Sequence, residues 1–328
     1  MSYTRSASRN RPAALRTWLA LVIALLAFAA CDTSPDTPSI PPPPEDSVRT
    51  DTLGAVSVPL PAPPRWRIAE AGPFLGIAGV TTRTAVLVLP EYADSTLHEL
   101  SARDPSRMAP LPVELFARRG KVSNATIVGA QSRGTDSCVE WPTAEVRLPD
   151  GNVSQSWTVA IAAGYATAIP LDSIESLASA DSARLAAEVA RLASMAPGDT
   201  ATAFEGIPYV VRSARRFQLD DSTEGISALV VRRISSEAMP LAEHVFMVAE
   251  RDRNRPRAPW QLAYTERAIG TEESVQLMDV LAALRLGDSS RPSLVVARDF
   301  GSRVTYSLLE RQAEGRWVVR WSSATVGC

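Results

Sequence analysis

Phe217-Gln-Leu-Asp-Asp-Ser222 is echoed by Leu284-Arg-Leu-Gly-Asp-Ser289, and the echo runs on through three more segments. Leu229-Val-Val-Arg232 matches Leu294-Val-Val-Ala297, with a basic residue after each. Phe246-Met-Val-Ala-Glu-Arg251 matches Tyr306-Ser-Leu-Leu-Glu-Arg311, and Trp260-Gln-Leu-Ala-Tyr264 matches Trp317-Val-Val-Arg-Trp321. The order is kept at an offset of about 60 residues, which marks a duplicated supersecondary unit. Each segment is a short apolar run ended by polar turn residues, so each unit reads as a four-stranded antiparallel meander. In the last segment Trp317, Val319 and Trp321 alternate with Val318 and Arg320, which predicts one buried and one wet face. The ambiguous stretch from Val275 to Leu286 becomes a strand, at least from Leu281, by its place in the repeat.

Upstream of this pair the signals stay β-rich until about residue 180. Thr84–Leu89, Val113–Ala117, Ala125–Val128 and Trp157–Ala162 are short runs punctuated by turn residues, of which Pro149-Asp150-Gly151-Asn152 is the strongest. The period then changes. Asp181–Met195 places Leu185, Val189 and Leu192 on one helical face, with Asp181 or Ser182 as cap and Pro197-Gly198 as stop. This predicts an amphipathic helix packed on a sheet of its own domain. The fold class expected is therefore mainly β (α+β), built of antiparallel β-meander units. Two four-stranded blade-like repeats occupy the C-terminal half, with the helix between halves. The boundaries read from composition are 1–30, a leader; 31–65, a Pro-rich stretch; 66–200, a β-rich region ending in the helix; and 201–328, the duplicated meanders.

The leader has the parts of a secretory signal peptide. Arg5, Arg9, Arg11 and Arg16 form a positive region with no acidic residue, and Leu19–Ala30 is a short apolar run. Such a run of about 7–15 residues suits a signal, whereas a spanning helix needs about 20. Ala29-Ala30-Cys31 resembles a bacterial lipobox, with Phe28 standing where that family usually has Leu. The resemblance implies that Cys31 becomes the acylated first residue of the mature chain; the alternative is ordinary cleavage near Ala29. Several acyl chains would hold the protein to a bilayer, since each buried methylene contributes about 0.8 kcal/mol and one chain is marginal. Asp32–Pro44 (DTSPDTPSIPPPP) then reads as an extended tether. The localisation implied is export and anchoring to a bacterial membrane, on its periplasmic or outer-surface face.

Three cysteines leave an odd one in an exported chain. With Cys31 acylated, Cys138 and Cys328 remain as a candidate disulfide in a compartment that permits one; the alternative is two unrelated thiols. Closing so long a loop would stabilise by roughly 5 kcal/mol at most. No two cysteines are close enough for a zinc or CxxC redox site.

Composition narrows the partners. The formal net charge is −2, and loss of the four leader arginines leaves −6, which argues against nucleic acid. Lys121 is the only lysine, and the remaining basic charge is arginine. The hydrophobic fraction of 45% is enough for a proper core.

The C-terminal 110 or so residues weakly resemble blade-like repeats of the FG-GAP/VCBS type, in which an acidic DxDxDG loop can hold calcium. Here Leu286–Pro292 keeps only Asp288 of that acidic set, and Phe217–Gly225 keeps Asp220, Asp221 and Glu224 without the alternation. Calcium takes six to eight oxygens, so no metal site is expected. The resemblance implies a scaffold or binding role and does not imply an enzyme.

Motifs for catalysis are sparse. His98-Glu99 begins like a zincin motif without its second histidine, and His244 sits at a strand. Gly287-Asp288-Ser289 is similar to a short esterase signature, but no histidine follows His244. No GxSxG, SxxK or GxxxxGK[ST] occurs. Glu272-Glu273 is a carboxylate pair of the kind usually solvated. No catalytic residue and no cofactor is therefore assigned. Arg251-Asp-Arg-Asn-Arg-Pro-Arg257 places Arg251, Arg253, Arg255 and Arg257 in one loop. Guanidinium forks suit carboxylates and phosphates, so the loop is a candidate for acidic headgroups or an anionic glycan. The alternative is a hydrated hairpin whose charge blocks edge aggregation. The expectation is a membrane-anchored envelope lipoprotein with an interaction or structural role. Its partners would be the membrane, through Cys31, and an envelope protein. The alternative is an exported hydrolase with unrecognised catalytic residues.

Overall fold

In the computed structural model the described residues are 75–79, 81, 83–88, 110–131, 141–149, 156–198, 202–235, 240–255, 257–271, 273–287, 291–323 and 325–327. All of them fall within one compact unit, Leu60–Cys328. The chain is mainly β with antiparallel pairing throughout, as the alternating runs predict.

Six strands form a closed barrel: β1 (Leu75–Ala78), β2 (Thr84–Val88), β3 (Leu111–Ala117), β4 (Gly120–Gln131), β5 (Thr143–Arg147) and β6 (Val159–Ala162), in the order β1-β2-β5-β4-β3-β6. Closure depends on β1 meeting β6 tightly. A Cβ at Gly76 would lie 2.9 Å from the Ala160 Cβ, so the absence of a side chain is what lets the two strands pair. Two short strands follow, β7 (Ala166–Ile169) and β8 (Asp172–Ser173), and then the helix α1 (Ser179–Ser194).

The duplicated unit is present as two meanders. β9 (Val210–Gln218), β10 (Thr223–Ile234), β11 (Leu241–Asp252) and β12 (Gln261–Gly270) make the first; β13 (Leu277–Leu286), β14 (Arg291–Asp299), β15 (Arg303–Ala313) and β16 (Arg316–Ser322) make the second. Each is extended beside its first strand, giving the orders β12-β11-β10-β9-β8 and β16-β15-β14-β13-β7. A last strand, β17 (Val326–Gly327), pairs with β15. All four matched segments fall at equivalent places, from Phe217 and Leu284 near the ends of β9 and β13 to Trp260 and Trp317 at the starts of β12 and β16. Thus β7, β8 and α1, which precede residue 201, pack with strands that follow it.

Three cores stack these parts into four layers. One fills the barrel with residues such as Val113, Leu115, Ile127 and Val159 and continues onto Ala282, Leu284, Val295, Leu308 and Trp321 of the second meander. Another lies between the meanders, where Phe217, Leu229, Phe246 and Val248 meet Met278, Val280, Leu294, Val296 and Trp317. The third joins the outer face of the first meander to Leu185, Val189 and Leu192 of α1. Both sheets are therefore covered on both faces, which explains why β10, β11 and β14 are almost continuously buried rather than alternating.

Two local expectations are corrected. Residue Arg320 is bulged between the pairs Leu308–Trp321 and Leu309–Val319. The extra residue reverses the alternation, so Trp321 faces the barrel while Trp317 faces the other meander. Val319 is 40% exposed instead of joining a single buried row. The helix also starts earlier than Asp181 or Ser182. Ala178 is its N-cap without a side-chain hydrogen bond, and Asp181 lies in the first turn, where a negative charge favours the helix dipole. Among the described residues no helix is long and apolar enough to cross a membrane.

Candidate functional site

The site grows from the loop that joins β11 to β12. β11 ends in Glu250, Arg251 and Asp252, and its side chains split between the two faces of the sheet. Glu250 is buried between the meanders. It accepts from Arg311 Nε and Nη2 at 2.8 Å each, from the Gly315 amide at 3.0 Å and from the Trp317 indole at 2.6 Å. Arg251 leaves on the opposite face, toward α1. It pairs with Glu224, its cross-strand partner, and its guanidinium lies 4.5 Å from the centre of the Trp260 ring.

A groove of about 820 Å³ opens there between α1 and the sheet. Leu177, Leu185, Ala258, Pro259 and Trp260 supply its apolar surface. Five arginines reach it from four elements: Arg184 and Arg191 from α1, Arg216 from β9, Arg251 from β11 and Arg257 from the loop. Among the described residues only two carboxylates line it, Asp181 and Glu188. These are engaged along the helix, Asp181 with Arg184 at 3.2 Å and Glu188 with Arg191 at 2.6 Å. The hydrogen bond from Arg191 holds the Glu188 carboxyl below its ordinary range against the opposing effect of burial, and the charge of Arg251 across the groove lowers it further.

Arg216 and Arg257 differ from the other three. No carboxylate pairs with either among the described residues, and the buried Nε of Arg216 donates to no acceptor. Of the loop arginines singled out in the sequence, the structure thus brings Arg251 and Arg257 into the groove. Arg253 and Arg255 are exposed outside it, with Arg255 held by Asp252 at 2.6 Å. Sequence reasoning missed Arg184, Arg191 and Arg216, which reach the groove only because α1 folds back over β9.

A second cleft, of about 750 Å³, lies at the other end of α1 and is bordered by Ser194, Gly198, Glu205, Tyr209, Arg232 and Arg267. Its floor is an ion cluster around Glu243, which is fully buried. Arg232 and Arg267 both donate to that carboxylate, and the Tyr209 hydroxyl donates at 3.1 Å. Burial pushes the Glu243 carboxyl up, but the bonds from Arg232 and Arg267 outweigh it and leave it below the ordinary range. The same arginines hold the backbone: Arg232 donates to the Phe204 carbonyl at 2.9 Å and Arg267 to that of Ala196 at 3.0 Å. This cluster fastens the connection between α1 and β9 to the sheet.

The remaining candidates take structural positions or lie outside the described residues. His244 is buried within β11, with Nδ1 2.9 Å from the Gln276 carbonyl. Asp220 closes the β9–β10 turn, accepting from the Ser222 and Thr223 amides at 2.9 and 2.7 Å, and Glu224 pairs with Arg251. Among the described residues no group of His, Cys, Asp and Glu is placed to hold a metal. Cys31, Cys138, Cys328, His98, Glu272, Asp288 and Ser289 lie outside the described residues. Compared with family models, curated proteins and solved structures, the chain gives no match.

Proposed function

We propose that this chain is an exported lipoprotein whose β domain is displayed at a bacterial membrane surface as a binding module. The observation that carries the reading is the junction Ala29-Ala30-Cys31 behind a positive and apolar leader, followed by a Pro-rich stretch ahead of β1. Acylation of Cys31 supplies the anchor, and residues 32–65 give the domain reach from the bilayer.

The chemistry of the side chains supports binding over catalysis. Glu243, Glu250 and Glu266 are each committed to arginines and to tyrosine or tryptophan donors, so these carboxylates stiffen the sheets rather than exchange protons with a substrate. Arginines outnumber carboxylates in the groove beside α1 among the described residues. A membrane-bound module with that surface fits an envelope partner.

Fractionation of cells expressing the full chain tests the reading. The wild type is expected in the membrane pellet, extractable by detergent, and Cys31→Ser in the soluble exported fraction. Equal membrane retention of both would overturn the anchor. Turnover of an ester, glycoside or peptide substrate, abolished by one serine or carboxylate substitution, would replace the binding role with an exported hydrolase.

A further inference from the structure

We propose that the groove between α1 and the β11–β12 loop is a binding site for a phosphate ester, with Arg216 and Arg257 as its principal ligands. The proposal deepens the reading of the domain as a binding module and rests on it. Three observations carry it. The first is charge: five arginines from four separate elements face two carboxylates, and both carboxylates are already paired along the helix. The second is the state of two of those arginines. Arg251 is occupied by Glu224 and Trp260, whereas Arg216 and Arg257 have no acidic partner among the described residues. A buried guanidinium N–H without an acceptor is uncommon in folded proteins, and the Nε of Arg216 is one. The third is shape. About 820 Å³ is within the range of small-ligand pockets, and Leu177, Leu185, Pro259 and Trp260 offer an apolar wall beside the charges.

The number of donors selects the anion. A carboxylate can bridge two arginines, as Glu243 does with Arg232 and Arg267, but with one oxygen for each and a single charge. A phosphoryl group presents three oxygens and up to two charges, so forks from Arg216 and Arg257 can both engage it. Its ester substituent would lie on the apolar wall. That chemistry is shared by a soluble phosphate monoester and by a lipid headgroup that ends in one, as phosphatidic acid does.

The experiment uses the β domain within the full-length Cys31→Ser chain. Phenyl phosphate and benzoate are titrated by calorimetry, and phosphatidylcholine vesicles with and without phosphatidic acid are tested by co-sedimentation. Binding of phenyl phosphate, or of the phosphatidic acid vesicles alone, is the expected result. The first assigns the groove to a soluble ester, the second to a headgroup. Arg257→Ala and Arg216→Ala should each weaken binding by about tenfold or more, the loss typical of a charge-assisted pair. The double variant Arg253→Ala/Arg255→Ala removes two charges outside the groove, one more than either groove variant, and should still leave affinity within about twofold at ordinary salt. Arg257 is exposed, so its variant folds even if Arg216→Ala does not. No binding of either phosphate probe, benzoate binding as tightly as phenyl phosphate, or equal loss in the groove and control variants would overturn the proposal. A chain that fails to reach the membrane but binds phenyl phosphate would sink the anchor and leave the groove standing.

Discussion

Glu243 and Glu266 show how this chain keeps carboxylates inside it. Glu243 sits among Arg232, Arg267 and Tyr209, and Glu266 takes both forks of Arg298 at 2.8 Å while accepting from Gln276 and Tyr264. Glu243→Gln would leave two buried guanidinium groups without their counter-charge. Removing one partner of a buried pair costs about 3–5 kcal/mol, readable as a lowered urea midpoint at unchanged slope. Acid should act on the same contacts. Burial raises the Glu266 carboxyl, but the hydrogen bonds and charge of Arg298 lower it more, so its folded value lies below the ordinary 4.5. A depressed folded value gives stability that is complete above the unfolded value and is lost as pH falls through the folded one. Stability should therefore decline as the pH drops below about 4.5, and Glu266→Gln should show a flatter profile there. In the other direction, burial pushes the Tyr264 hydroxyl up to about 12, so it remains a donor to Glu266 throughout the neutral range. None of these pairs was legible in the sequence. Arg232 and Glu243 are 11 residues apart and Glu250 and Trp317 are 67 apart, distances that only strand pairing and sheet stacking close.

Strands and the helix were legible wherever their signal was local. The four matched segments give the order of β9–β16 because each carries its own apolar run and turn, and α1 is visible from the spacing of Leu185, Val189 and Leu192. The failures have physical causes. The bulge at Arg320 depends on how β15 and β16 pair, which no local period records, and it sends Trp317 and Trp321 to different cores. β7 and β8 are too short to show alternation and exist because each completes a sheet begun later in the chain. The corrected register makes a discriminating set of variants. Trp317→Ala and Trp321→Ala should each cost about 3–5 kcal/mol, as truncation of a buried aromatic does. Val319→Thr should stay within about 0.5 kcal/mol. A single buried face would instead make all three costly. Val189→Asp should detach α1, since Val189 is fully buried among apolar side chains and a carboxylate there would lose its water. Loss of helical circular dichroism would come with loss of any groove binding.

At the scale of the whole molecule the order is barrel, second meander, first meander, helix, with a continuous apolar core between each pair. Polar ties cross the same boundaries. Thr158 donates to the Leu281 carbonyl at the β13 bulge from the barrel side, while Arg311–Glu250 and Arg298–Glu266 join the two meanders. Such a stack holds α1 and the β11–β12 loop in fixed positions, which is what a groove shared by separate elements requires. The barrel was legible only as scattered strands, because its closure depends on the Gly76–Ala160 approach and not on a pattern. The proposed anchor has the opposite character: it is read from the sequence of residues 1–31 alone. The most direct measurement is therefore the intact mass of the mature protein from the native membrane fraction, alkylated without reductant. The expected species is a chain beginning at Cys31 that carries acyl groups and no alkylated cysteine, with Cys138 and Cys328 joined. An unacylated chain with an alkylated Cys31, or one cleaved ahead of it, would contradict the claim that this domain is held at a membrane.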